Sequence, residues 1–168
     1  IKKAKQSDKL AELLAADDID ELMNWLAAQP LIQKIPNTTN SLQSANEASF
    51  GYMSHAGISP QWTLTQALTQ AKFVEDKIAG SNRQHWLSIM YGNTPNNWLE
   101  AKSIEQKFRY SVNALTRMRY CFADLSLDFE HKLEHVDADQ PALQPWFDLS
   151  PVVRQHYWLF GHWAALMG

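Results

Sequence analysis

Histidine is the side chain that most readily offers a neutral nitrogen to a divalent metal near physiological pH. Two of the six histidines in the 168-residue sequence stand in matching settings. His55 lies in Met53-Ser54-His55-Ala56-Gly57, and His162 in Leu159-Phe160-Gly161-His162-Trp163. Each directly follows a short apolar stretch that reads as a strand, and each has a glycine within two residues. Loops diverge at the carboxyl ends of strands in open α/β sheets and leave a crevice for ligands there. Glycine beside the histidine lets backbone approach closely. An imidazole so placed ligates a metal when its other nitrogen is oriented by a partner. Two nitrogens fall short of the three or four ligands of a usual protein site. A pair of hydrogen-bonded, half-buried histidines is therefore the alternative reading.

Arg117 and Arg119, in Thr116-Arg117-Met118-Arg119, sit where a helix ends. Two residues apart, they share a face only if the chain is extended there. So placed, they suit a bidentate clamp on phosphate oxygens, with solvated surface charge as the competing explanation. His131-Lys132-Leu133-Glu134-His135 matches the H-x-x-E-H pattern of inverted zinc peptidases. That chemistry needs a long helix. Flanking acids and Pro141 argue instead for a solvated loop, and no peptidase is expected. Of the seven tryptophans, Trp98 and Trp146 follow Pro95-Asn96-Asn97 and Pro145, where a loop aromatic can stack on a nucleobase. Trp25, Trp86 and Trp158 fall on apolar stripes or strands and are expected in the core.

The elements that must position these residues are legible from periodicity. Ser7 is a candidate cap for a turn carrying Leu10, Leu13 and Leu14. Ile19, Leu22, Met23 and Leu26 follow Asp17 and Asp18 with the spacing of one buried helical face, ended by Pro30. Residues 31–35 and 50–53 read as strands of a hairpin joined by loop composition. Thr63 with Gln66 and Ser103 with Gln106 have the form of capping boxes. The first opens a helix with Leu64, Leu68, Ala71, Val74 and Ile78 on one face; the second opens one with Ile104, Phe108, Val112 and Leu115. A shorter helix spans about 84–90, residues 120–129 contain a strand, and 157–160 form a buried strand. Residues 130–151, with three prolines and several acids, read as an irregular surface connection. The fold class is α/β and helix-rich, with too few strands to complete a sheet.

Composition narrows the function classes. Hydrophobic residues make up 45% of the chain and charged residues 20%, which excludes disordered and collagen-like classes. Fifteen Lys and Arg against 18 Asp and Glu give a net charge of −3, so no basic field points to a nucleic acid polymer or an anionic membrane. No apolar run approaches the roughly 18 residues that cross a bilayer. The single cysteine, Cys121, makes no internal disulfide and suits a reducing compartment, so the expected location is the cytoplasm.

Three stretches occur in order: Ser54-His55-Ala56-Gly57-Ile58-Ser59-Pro60-Gln61-Trp62, Met90-Tyr91-Gly92-Asn93-Thr94-Pro95-Asn96-Asn97-Trp98, and Asn113-Ala114-Leu115-Thr116-Arg117-Met118-Arg119-Tyr120-Cys121-Phe122. Pro145-Trp146-Phe147 and Phe160-Gly161-His162-Trp163-Ala164 follow, and Leu22-Met23-Asn24-Trp25-Leu26 to Pro30-Leu31 fits as well. The ordered set resembles the bacterial symmetrical bis(5'-nucleosyl)-tetraphosphatases (diadenosine tetraphosphate hydrolases), which are calcineurin-like metallophosphoesterases. The resemblance implies cleavage of diadenosine tetraphosphate into two ADP by water at a site of two divalent ions, manganese, cobalt or similar. It implies His55 and His162 as two ligands of one ion, Arg117 as a phosphate contact with Arg119 in reserve, and Asn96, Asn97 and Trp98 on a substrate-side loop. The family's opening motifs, Gly-Asp-x-His-Gly, Gly-Asp-x-x-x-Arg-Gly and Gly-Asn-His-Asp/Glu, supply the remaining ligands and the catalytic acid, and none occurs here. The expectation is that residues 1–168 form a single partial metallophosphoesterase domain. It would lack the N- and C-terminal parts of its sandwich, carry no catalytic residue of its own, and be inactive alone. The alternative is a non-catalytic binding module on the same fold.

Overall fold

Local sequence signals set the two longest helices. In the computed structural model, which describes residues 9–36, 50–131 and 143–163, helix α3 (Leu64–Ala79) opens on a capping box. The Thr63 hydroxyl accepts from the Gln66 N–H at 3.2 Å, and the Gln66 side chain accepts from the Thr63 N–H at 2.9 Å. Helix α5 (Ile104–Thr116) opens the same way, with Ser103 and Gln106 exchanging bonds of 3.2 and 3.0 Å. Each box satisfies two of the N–H groups that a helix start leaves unpaired.

The remaining elements are α1 (Ala11–Leu14), α2 (Ile19–Ala27), β1 (Ile32–Pro36), β2 (Phe50–Ser54), α4 (Arg83–Ile89), a 3₁₀ turn at Trp98–Glu100, β3 (Tyr120–Phe122), β4 (Leu143–Pro145), α6 (Trp146–Leu149) and β5 (Trp158–Phe160). The chain is mixed α/β with small sheets. β1 and β2 form the expected antiparallel hairpin, and β5 joins β2 in parallel, giving the order β1-β2-β5. β3 and β4 form a separate antiparallel pair.

One face of the three-stranded sheet, with Ile32, Tyr52 and Trp158, joins a core completed by Ile58, Trp62, Tyr110, Leu115, Met118 and Trp146. Tyr52 stacks on Trp158 with centroids 5.2 Å apart, and the Trp158 indole N–H donates to Ser54 Oγ at 2.9 Å. A second cluster of Val74, Trp86, Phe108 and Val112 holds α3, α4 and α5 together.

Four expectations are corrected. Residues 143–149 are not irregular connection: Leu143 is buried in β4 against β3, and Trp146 opens α6 fully buried. Two anchors flanking Gln144-Pro145 are too short a pattern to show periodicity. For the same reason Trp146 is no platform for a base; its ring packs edge-on to Phe160 at 5.0 Å. Trp25 lies outside the core at 59% exposed, and no residue of α2 is buried, although Leu22, Met23 and Leu26 do share a face. Periodicity finds an apolar face but not whether anything covers it. Lastly, β5 is buried only on one side, since Leu159 is 41% exposed. Ser7 falls outside the described residues, and no helix among them is long and apolar enough to cross a membrane.

Trp146 explains Gly57. That residue has φ +155°, and a Cβ there would lie 2.4 Å from Trp146 Cε2. Gly57→Ala is expected to destabilise the protein by about 1–3 kcal/mol through overpacking. Thr63→Ala, which removes one cap bond, should cost about 1 kcal/mol. Urea denaturation midpoints of the two variants provide the comparison, and an unchanged midpoint for Gly57→Ala would refute the packing argument.

Candidate functional site

Parallel pairing of β2 with β5 ends at Ser54 opposite Phe160, so both chains leave the sheet side by side. Gly161 continues the ladder by donating its N–H to the His55 carbonyl at 2.9 Å. A Cβ at Gly161 would sit 2.9 Å from that same oxygen, closer than real side chains come, so glycine permits the approach. His162 then takes φ +71°, a left-handed conformation unusual for a residue with a side chain. Ala56 fixes the other side, donating its N–H to the Leu115 carbonyl at the end of α5 at 3.0 Å.

The result is a histidine pair. Nε2 of His55 and Nε2 of His162 lie 2.9 Å apart, with ring centroids at 4.5 Å and an interplanar angle of 87°. One ring N–H donates to the lone pair of the other, so the facing edges share one proton. Burial, then the charges of His55 and Arg119, hold the His162 imidazole below its ordinary pKa, which favours its neutral form. His162 Nδ1 is buried with no hydrogen-bond partner among the described residues.

A metal ion bound to both nitrogens at about 2.1 Å would see them at an angle of about 90°. That is the spacing of two adjacent positions on one ion. No group of three or more His, Cys, Asp or Glu side chains able to hold a metal occurs among the described residues. The donor set fits part of a coordination shell and leaves the rest to other ligands.

Beside His162 opens a cavity of about 220 Å³ lined by Thr116, Arg117, Arg119, Phe129, His131 and His162. Arg117 is braced at its rim. Its Nη1 donates to Asn113 Oδ1 at 2.8 Å and to the Gly92 carbonyl at 3.5 Å, and its Nη2 to Asn93 Oδ1 at 3.0 Å. The guanidinium carbon lies 4.7 Å from the Phe129 ring centroid. Three of its five N–H donors are thereby used, which fixes the fork and leaves two for a ligand. Asn113 is fully buried and spans Arg117 and the Gly92 carbonyl, the latter at 2.9 Å. The Arg119 carbonyl accepts from the Trp146 N–H at 3.1 Å, so Arg119 reaches the cavity from beside the core. Sequence reasoning missed Thr116, Phe129, His131 and Asn113. A polar Asn113 amid the buried stripe of α5 was one available signal; His131 drew notice only through the H-x-x-E-H match, which pointed to a different chemistry.

Asn96, Asn97 and Trp98 serve internal contacts. Asn96 brackets Leu127, accepting its N–H at 2.7 Å and donating from Nδ2 to its carbonyl at 3.1 Å. Asn97 Oδ1 accepts from Leu99 N–H at 3.0 Å and from Gln61 Nε2 at 2.9 Å. Trp98 packs against Trp62 and Tyr110 at 5.4 Å in each case. Cys121 is buried, its thiol pushed up by burial and set against Met118 Sδ at 3.6 Å, so it offers no nucleophile. Of the H-x-x-E-H stretch only His131 lies within the described residues, and it is not helical.

Over its full length the chain is 54% identical to the symmetrical bis(5'-nucleosyl)-tetraphosphatase of Colwellia psychrerythraea, covering 60% of that protein. Over 98% of its length it is 43% identical to the protein of the same name from Psychromonas ingrahamii, covering 55% of it. Over its full length it is 46% identical to that of Edwardsiella ictaluri, covering 57%. The chain therefore spans 55–60% of the length of these curated relatives. No family model matches it.

The bracing of Arg117 is testable. Asn113→Ala removes a buried acceptor from Arg117 and the shorter of the two bonds to the Gly92 carbonyl, and should cost about 1–3 kcal/mol of stability. Asn93→Ala, at an exposed position, should stay within about 0.5 kcal/mol. Thermal and urea denaturation of both variants check the ranking; equal costs would show that Arg117 is not held from Asn113.

Proposed function

Because the chain belongs to the symmetrical bis(5'-nucleosyl)-tetraphosphatase family, we propose that the protein containing it hydrolyses diadenosine tetraphosphate to two ADP, acting in the cytoplasm. In that reaction a water oxygen bonds to one inner phosphorus and the central bridging oxygen leaves with the other ADP. The observation that carries the reading is the pair of ring nitrogens 2.9 Å apart beside a cavity lined by two arginines.

His55 and His162 would hold one of two divalent ions, manganese, cobalt or similar. The chemistry such ions supply when bound is neutralisation of phosphate charge and activation of the attacking water. The residues here bind and orient. The His55–Gly161 backbone bond keeps the two imidazoles at a common bite, and the low basicity of His162 keeps its lone pair available. Arg117, held by Asn113 and Asn93, presents its remaining N–H groups to phosphate oxygens, and Arg119 reaches the same space. Asn96, Asn97 and Trp98 shape the neighbouring loop, which supports a substrate-side wall built by positioning rather than by their own amide groups.

The rest of the sheet supports a sandwich architecture with residues 1–168 as part of one domain. Met53 and Leu159 pair side by side on the sheet face turned away from the core, at 44% and 41% exposed. With Pro30, Leu31 and His55 they line an apolar groove of about 420 Å³. An apolar sheet face of this kind calls for a second layer.

Two nitrogens without a carboxylate hold a divalent ion weakly, so the 168 residues alone should release no ADP from the substrate in manganese or cobalt. Detectable turnover would refute this. In the full-length protein, His55→Asn and His162→Asn should each lower metal occupancy and reduce turnover by about a hundredfold, the scale of a lost ligand or its oriented partner. His85→Ala should leave both near wild type. Metal content by mass spectrometry and ADP release decide the matter; equal effects at all three positions would undo the assignment, and would favour a non-catalytic module.

A further inference from the structure

The cavity beside His162 holds an imidazole that the proposed hydrolysis leaves unused. His131 lines the same space as Arg117 and Arg119, and it is delivered there by a well-tied segment. Leu127 is fastened to Asn96 in both directions at 2.7 and 3.1 Å, and the Asp128 N–H donates to the Tyr120 carbonyl at 3.0 Å. Glu130 Oε1 accepts from Asn93 Nδ2 at 3.5 Å, and Phe129 lies under the Arg117 guanidinium. At the end of this segment a single carboxylate oxygen orients His131. Asp128 Oδ2 accepts the His131 backbone N–H at 2.9 Å and lies 3.1 Å from ring Nδ1, off the hydrogen-bond line. The Asp128 side chain is only 3% exposed while that of His131 is 35% exposed.

A buried carboxylate needs compensation, and here the partner is a ring that also faces the cavity. Nδ1 is buried beside Asp128 without a hydrogen bond, which leaves Nε2 as the nitrogen that can meet a ligand. Among the described residues no carboxylate lines the cavity, and the other charged side chains facing it are Arg117 and Arg119, with His162 on the histidine-pair side. Such an arrangement fits a phosphoryl group. With a phosphoryl oxygen at Nε2, the ring would donate its N–H there to the anion while Asp128 holds the residue in place through its backbone N–H.

We propose that His131 is a further phosphate-binding residue of this cavity, positioned by Asp128, taking the phosphoryl group next to the one held at the His55–His162 pair. The identity of the substrate rests on the hydrolase reading above; the existence of an anion site does not. In the full-length protein kept metal-free with chelator, inorganic pyrophosphate serves as the probe, followed by calorimetry and by the histidine ring resonances. Pyrophosphate should shift the His131 ring signals and leave those of His85 in place. His131→Ala should weaken pyrophosphate binding about tenfold, the loss of one charge-assisted hydrogen bond, with His85→Ala unchanged. Asp128→Asn should move the His131 ring signals before ligand is added and weaken binding to a similar extent. If that buried substitution prevents folding, His131→Ala and the ring shifts still decide. With dinucleoside tetraphosphate and metal present, His131→Ala should raise KM with kcat near wild type. Failure of pyrophosphate to bind without metal, or equal binding by wild type and His131→Ala, overturns the proposal. Binding at His131 in a protein that does not cleave dinucleoside tetraphosphate would leave this site standing and overturn the hydrolase reading instead.

Discussion

Parallel pairing of β2 with β5 is the constraint on which the site depends. Two strands 107 residues apart in sequence, as counted between their histidines, reach the same end of the sheet in one register. The Gly161 N–H then locks that register to the His55 carbonyl. Shifting β5 by one residue would turn Trp158 out of the core and Leu159 into it. The buried indole, its hydrogen bond to Ser54 and its stacking on Tyr52 oppose such a slip. Core packing on one face of the sheet therefore sets the geometry of two imidazoles at its end.

The same logic extends outward from the core. Trp146 fills the space that Gly57 leaves open, which ties the strand exit at His55 to the β4–α6 corner. The carbonyl of Arg119 receives the Trp146 N–H, so the arginine pair is anchored to that corner too. Asn113, buried in α5, passes the order on to Arg117 and to the loop at Gly92. The Arg117 guanidinium and the Arg119 backbone are thus each held through a buried neighbour, and fixing such partners beforehand lowers the cost of binding an anion.

Elements with local signals were legible in the sequence. Both capping boxes and the hairpin strands stand where residue order placed them, because caps and turns are decided by contacts a few residues apart. The β4–α6 corner was not legible. Leu143 and Trp146 acquire meaning only from β3 and Gly57, which lie far away in sequence. Trp25 shows the converse: its helical spacing was plain, yet burial depends on a covering layer, and none is present among the described residues. Proline and acid content near 130–151 likewise suggested a loop where two buried side chains make a strand and a helix.

By itself the sequence determined the helices α2 to α5, the hairpin, the absence of a global basic field and the candidacy of His55 and His162. These follow from local hydrogen bonding, apolar spacing and residue chemistry. Only the tertiary structure decided that the two imidazoles meet at 2.9 Å and that Arg117 is braced by Asn113. It alone placed His131 and Phe129 in the same cavity as the arginines. Distances between residues remote along the chain are set by strand register and by which aromatic fills which gap, and neither is written in any short window of sequence.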